Sequence, residues 1–267
     1  MRSLITVFLL VSAWVSTARA ADPPLAERDW KVDGVDRQAL VYIPAAAEKA
    51  QTPVVFAFHG HGGTMAHAAR TFAYHQHWPK AIVVYMQGLN TPGRLTDPEG
   101  KKSGWQPSLG EQQDRDLKFF DVVLASLKSD YKVDAQRVYA TGHSNGGGFT
   151  YLLWANRGDV FAAVAPSGAI PGRGSKELRP MPVLHVAGEQ DALVKFAWQK
   201  RAVDLLKQSN GCDAEGAPWA KAGTLTGTQY PSKKGTPLVS VTYPGGHKFP
   251  DEAPELITKF FQEHAKK

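Results

Sequence analysis

A single cysteine, Cys212, stands in 267 residues. Without a second thiol no internal disulfide can form, so the fold has to be held by its apolar core. Cys212 sits beside Gly211 and reads as an inert loop position, not a reactive thiol. Long runs of one charge are also missing. The formal net charge is +6, and Lys101-Lys102, Lys233-Lys234 and Lys266-Lys267 are the only adjacent lysine pairs. Such scattered pairs suit solvated loops, and no nucleic-acid partner is expected. There is no internal repeat, low-complexity stretch or interdomain linker, and no apolar run after residue 20 is long enough to span a bilayer.

The first twenty residues have their own character. Arg2 supplies a positive start, Leu4 to Val15 an apolar run, and Ala18-Arg19-Ala20 a small-x-small cleavage pattern. Residues 1–20 are therefore expected to be a signal peptide, which places the remainder outside the cell or in a periplasm. Residues 21–267 suffice for one α/β domain with a sizeable core, expected to act as a monomer.

Strand and helix patterns alternate along that remainder. A hairpin is expected over 29–43 around Asp33-Gly34. The near-continuous apolar runs 53–58 and 81–86 suit parallel strands covered on both faces. A short helix is expected over 66–74. Leu117, Phe120, Leu124, Leu127 and Tyr131 step at 3 and 4, which predicts one face of a helix. Further strands are expected at 137–141, 160–165, 183–187 and 238–243. Helices are expected after residue 147, around Val194 to Leu205, and around Leu256 to Phe261. The alternation implies a doubly wound, mostly parallel sheet flanked by helices. Residues 88–113, rich in glycine and proline and without period, form a long loop of the kind that is functional or mobile.

Gly142-His143-Ser144-Asn145-Gly146 has the form G-x-S-x-G between a strand pattern and a helix pattern, the context of a nucleophile elbow. His59-Gly60-His61-Gly62-Gly63 follows another strand and resembles the H-G-G-G element that supplies an oxyanion donor. Downstream come Gly188-Glu189-Gln190-Asp191 and Gly245-Gly246-His247, each after a strand. The order Ser, Asp, His is that of α/β-hydrolases. Ser144 is then the candidate nucleophile, His247 its base, and Asp191 the group that orients the imidazole, with Glu189 as the competing acid. The backbone N–H groups of Asn145 and His61 are the candidate oxyanion donors, with Gly62 in reserve. Trp105 is read either as a wall for an aromatic or sugar substrate or as an anchor of the long loop, and Gln87 as a lesser substrate contact. His185, alternating within a strand, reads as a satisfied core histidine. His59 and His61 could face one way and bind metal, but no carboxylate or cysteine lies close in sequence, so neither metal nor cofactor is expected.

With these motifs in place, the chain resembles the secreted polyhydroxybutyrate depolymerase and feruloyl esterase group of α/β-hydrolases over most of residues 30–263. The likeness rests on Phe58 to Gly63, Gly142 to Gly148, Gly188 to Asp191, and Gly245 to Pro250. It implies a metal-free serine esterase acting on polyester, hydroxycinnamoyl-sugar or acetylated-polysaccharide esters, with Ser144, Asp191 and His247 as its triad. Three departures stand out: the missing disulfides, Arg115-Asp116-Leu117 where D-D-V is common, and Met86-Gln87-Gly88 in place of Pro-Asp-Gly. The same residues would also serve an acyltransferase or a serine peptidase, or persist in a binding module that has lost catalysis.

Overall fold

The computed structural model describes residues 24–93, 96–172 and 178–266. The expected signal peptide lies outside them. In chain order the elements are β1 (Ala26–Val32), β2 (Val35–Tyr42), β3 (Thr52–Phe58), α1 (Met65–Phe72), α2 (Tyr74–His77), β4 (Ile82–Met86), β5 (Leu89–Asn90) and β6 (Ser103–Gly104). There follow α3 (Arg115–Asp130), β7 (Val133–His143), α4 (Asn145–Arg157), β8 (Ala163–Ser167), β9 (Val183–Gly188) and α5 (Phe196–Asn210). The chain closes with β10 (Ala217–Ala222), β11 (Leu225–Tyr230), β12 (Leu238–Tyr243) and α6 (Ala253–Gln262).

Ten strands form one sheet in the order β1-β2-β4-β3-β7-β8-β9-β12-β11-β10. The six from β4 to β12 run parallel, and an antiparallel pair flanks each side. This is the doubly wound sheet that the alternation of patterns predicts. The hairpin β10–β11 was not anticipated. Its polar alternation and Pro218 hide it: among the six residues of β11 only Leu225 and Gly227 are buried, and β10 carries a register shift between Pro218 and Ala220.

Strand side chains alternate between two faces, and the core divides accordingly. Val54, Phe56 and Phe58 of β3 pack on one side with Phe120 of α3, Phe149 of α4 and Leu206 of α5. Val55 and Ala57 pack on the other with Phe72 of α1 and Ile257 and Phe260 of α6. From β3 the chain crosses through α1 and α2 to β4 on one flank. From β4 it crosses back through α3 on the opposite face to β7, on the other flank of β3. The crevice between the carboxyl ends of β3 and β7 is therefore a topological switch point, where open α/β sheets bind ligands.

The described residues of the segment 88–113 carry more structure than its composition suggests. β5 and β6 pair within it. Trp105 and Gln106 are fully buried. Asp116, at the start of α3, accepts from the Gln106 backbone at 2.8 Å and from the Arg37 guanidinium of β2 at 2.7 Å. That ion pair has side-chain exposures of 0% and 1%, so it ties the loop, α3 and the antiparallel flank together inside the protein. No described helix is long and apolar enough to cross a membrane.

Candidate active site

At the switch point β7 runs straight into α4 through Ser144, whose backbone is held at φ 57° and ψ −120°. A positive φ at a non-glycine residue is costly and persists only where its surroundings enforce it. Here the crowding is explicit. A Cβ at Gly146 would lie 2.1 Å from the Phe58 carbonyl oxygen, and one at Gly142 would lie 2.5 Å from the Gly146 backbone. The bare glycines let the turn press against β3, and the Ser144 N–H donates to the Ser167 carbonyl at 2.8 Å.

His247 follows β12 and Asp191 follows β9, two strands that are neighbours in the sheet. Their loops are laced together: the N–H groups of Glu189 and Gln190 donate to the carbonyls of Tyr243 and Gly245, each at 2.9 Å. Ser144, His247 and Asp191 meet in one row. Ser144 Oγ lies 2.8 Å from His247 Nε2, and His247 Nδ1 lies 2.7 Å from Asp191 Oδ2. With Asp191 as acceptor, Nδ1 carries the imidazole hydrogen and Nε2 is left to accept from the serine hydroxyl. Asp191 is 5% exposed, and its Oδ1 accepts from the Leu193 and Val194 amides at 2.9 and 2.8 Å. Glu189, the competing acid, is exposed.

The His59–Gly63 loop runs beside the serine, close enough that a Cβ at Gly60 would lie 3.6 Å from Ser144 Cβ. Gly62 donates its N–H to the Ser103 carbonyl at 2.7 Å and Gly63 donates to Gly60 at 2.9 Å. The reserve donor, Gly62, is thus already committed. No acceptor among the described residues takes the N–H of His61 or of Asn145. Asn145 is the first residue of α4, where amides have no intrahelical acceptor and the helix dipole favours negative charge. Its side chain does something else. Oδ1 accepts from Trp105 N–H at 2.7 Å and Nδ2 donates to the Trp105 carbonyl at 3.1 Å, clamping the long loop to the elbow.

Of the two readings of Trp105 the structure carries the anchor, and the expected Gln87 contact is corrected. Trp105 is 0% exposed, stacked on Phe149 at 5.2 Å, and its indole N–H donates to the His59 carbonyl at 2.9 Å. It is the anchor of the loop and offers no wall to a substrate. Gln87 is turned inward: its Oε1 accepts from Met65 N–H at 2.9 Å, and its Nε2 donates to the Gly88 carbonyl at 3.0 Å. The sequence left both readings of Trp105 open because its partners Phe58, His59 and Phe149 lie more than 40 positions away.

The remaining histidines divide by surroundings. Burial holds His59 well below its ordinary value, at about 4. The neutral ring fits its partners, with Nδ1 at 2.7 Å from the Gly60 carbonyl and Nε2 accepting from Gly88 N–H at 3.0 Å. His61 pairs with Asp97 at 3.1 Å, a carboxylate brought 36 positions back along the chain. Among the described residues no group of three or more His, Cys, Asp or Glu is arranged to hold a metal ion. His143 packs beside His247 at 5.0 Å, its Nδ1 3.1 Å from the Ser167 hydroxyl. Burial and then the neighbouring His247 push it down to about 4.

A cleft of about 1000 Å³ adjoins the row at His247, and Gly60, His61 and His143 also line it. Arg70 and Phe72 of α1 and Lys248 add polar and apolar groups to the lining.

No protein-family model matches the chain. The probable feruloyl esterase C of Aspergillus clavatus is 30% identical over 210 residues, which cover 75% of this chain and 70% of that protein. Feruloyl esterase C of Emericella nidulans is 26% identical over 254 residues, 91% of this chain and 90% of its own. Among solved structures, an acetyl xylan esterase from Aspergillus awamori superposes with a TM-score of 0.66 at 13% identity, covering 89% of this chain and 99% of its own. That structural likeness establishes the fold, and the sequence likeness goes further: the chain belongs to the feruloyl esterase-like group of α/β-hydrolases and is a carboxylic ester hydrolase.

Proposed function

We propose that this protein is a secreted serine esterase that removes feruloyl or related acyl groups from carbohydrate esters, with Ser144, His247 and Asp191 as its catalytic triad. The observation that carries the proposal is the continuous row from Ser144 Oγ through the imidazole to Asp191 Oδ2, at 2.8 and 2.7 Å. A serine hydroxyl is a weak nucleophile until a base takes its proton. In this reading Oγ attacks the ester carbonyl as His247 Nε2 accepts the hydroxyl proton. Asp191 stabilises the imidazolium and keeps its hydrogen on the correct nitrogen. Charge developing on the carbonyl oxygen is met by the N–H groups of Asn145 and His61, each worth about 3 kcal/mol in the transition state. Collapse expels the alcohol, which takes the proton from Nε2 and leaves an acyl-serine. Water then attacks with the roles of His247 repeated, releasing the acid and restoring Oγ–H.

The substrate class is supported by the feruloyl esterases among the relatives, and secretion by the leading segment 1–20. The test is direct. A fluorophosphonate probe should label Ser144, and Ser144→Ala should lose hydrolysis of methyl ferulate, acetylated xylan and nitrophenyl acetate together. Normal turnover by that variant would remove the assignment.

A further inference from the structure

The carboxylate of Asp191 does not end the row. Gln199 Nε2 donates to Asp191 Oδ2 at 3.0 Å and to the Val194 carbonyl at 2.7 Å. Gln199 Oε1 lies 3.1 Å from His185 Nε2, and His185 Nδ1 lies 2.8 Å from the Tyr151 hydroxyl. Gln199, His185 and Tyr151 are each 0% exposed.

The direction of every bond in this chain is fixed by one group. A backbone carbonyl can only accept, so the end of Gln199 at Val194 is the amide nitrogen, and the other end is its oxygen. That oxygen requires a hydrogen on His185 Nε2, which leaves Nδ1 as a lone pair, and the Tyr151 hydroxyl must donate to it. Complete burial, which drives His185 down to about 4, keeps this neutral tautomer in place. Asp191 then has two donors on each oxygen: the Leu193 and Val194 amides on Oδ1, and His247 and Gln199 on Oδ2.

We propose that Gln199 is a positioning residue of the esterase: oriented by His185 and Tyr151, it pins the Asp191 carboxylate so that one oxygen faces His247 in the plane of the imidazole. The inference rests on the triad assignment made above. It also links elements that the row alone leaves separate. Tyr151 lies on α4, the helix that begins at the nucleophile turn, while His185 lies on β9 and Gln199 on α5. The acid and the nucleophile thereby share one buried network. Such networks carry a high cost when one member is lost, because the others remain buried without partners.

Replacement of Gln199 by leucine fills the space and removes the donor. With one donor fewer, the Asp191 carboxylate holds the imidazolium more strongly and turns more freely. The expected result is a kcat lower by about 10²-fold, KM nearly unchanged, and an acidic limb of the kcat/KM profile moved to higher pH. Gln199→Glu supplies a second, independent reading. As a neutral acid, Glu at this position can donate to Asp191 while accepting from His185; once ionised, it sets two carboxylates edge to edge. Its carboxyl should resist ionisation because of burial and its neighbour, and activity should fall as pH rises through its titration, in a range where the parent enzyme stays active. The other titratable groups around the site are His247, His143, His185, Tyr151 and Tyr243, with Lys200, Asp204 and Tyr230 lining the cavity beside Gln199, and all are unchanged in both variants. Tyr151→Phe, which frees Gln199 to rotate, should give a loss of a few fold in the same direction as the leucine variant.

Fluorophosphonate labelling and circular dichroism accompany each measurement. A folded Gln199→Leu enzyme with parental kcat and pH profile would overturn the proposal, as would a Gln199→Glu enzyme without the new alkaline loss. Failure of the parent protein to label at Ser144 would instead overturn the triad itself. Should the leucine variant not fold, the pH response of Gln199→Glu decides alone.

Discussion

Trp105 shows how much one side chain can settle. Its ring fills the space between Phe58 and Phe149, and its N–H satisfies the His59 carbonyl beneath the nucleophile turn. Trp105→Ala should therefore cost about 3–5 kcal/mol of stability. Trp105→Phe, which keeps an aromatic ring and loses the hydrogen bond, should cost about 1 kcal/mol beyond any repacking. Denaturant titration of both variants checks this; a change in KM with stability intact would restore the substrate-wall reading. At this scale the motif residues were the legible ones. Ser144, Asp191 and His247 sit in glycine-flanked loops after strands, and that local pattern survives in a linear text. Gln199 left no such mark. It lies in the first turn of α5, eight positions beyond Asp191, and only tertiary packing turns it toward the carboxylate.

At the scale of elements, the segment 88–113 and helix α3 behave as one unit with β2. Asp116 joins them, accepting from Arg37 and from the Gln106 amide with no exposure to water. Breaking a buried pair on one side leaves the other charge uncompensated, typically at 3–5 kcal/mol. Asp116→Ala should lower stability by about that amount, and thermal melts of variant and parent measure it; a loss below about 1 kcal/mol would show that Arg37 finds another partner. The sequence placed Asp116 at a helix start but could not show that it is buried, because Arg37 lies 79 positions away. The same limit explains the missed hairpin. β3 and β4 announce themselves as apolar runs because both faces are covered, whereas β10 and β11 are covered on one face only and read as polar loop.

The whole molecule has a pH dependence set by its interior. His59 and His185 are 1% and 0% exposed, and burial lowers each to about 4 against an ordinary 6.5. In the unfolded chain both take a proton as pH falls past 6.5, while in the native protein they resist until about 4. The unfolded state therefore binds more protons in that window, and stability falls as pH drops through it. With His143, which burial likewise lowers to about 4, three such groups give a slope of roughly 4 kcal/mol per pH unit at the steepest. Melting temperatures recorded from pH 7.5 to 4.5 should hold level above 6.5 and then decline. A level trace down to 4.5 would mean that these rings are protonated without penalty.

The two borders of the ten-stranded sheet carry a further consequence. One ends in β1, where Glu27, Asp29 and Lys31 are exposed, and the other in β10, where Pro218 lacks an N–H and the register shift interrupts the ladder. Charged side chains guard one border, and a proline with a broken register guards the other, against an incoming chain. Concentrated enzyme should thus resist fibril growth by strand addition for as long as the native state persists.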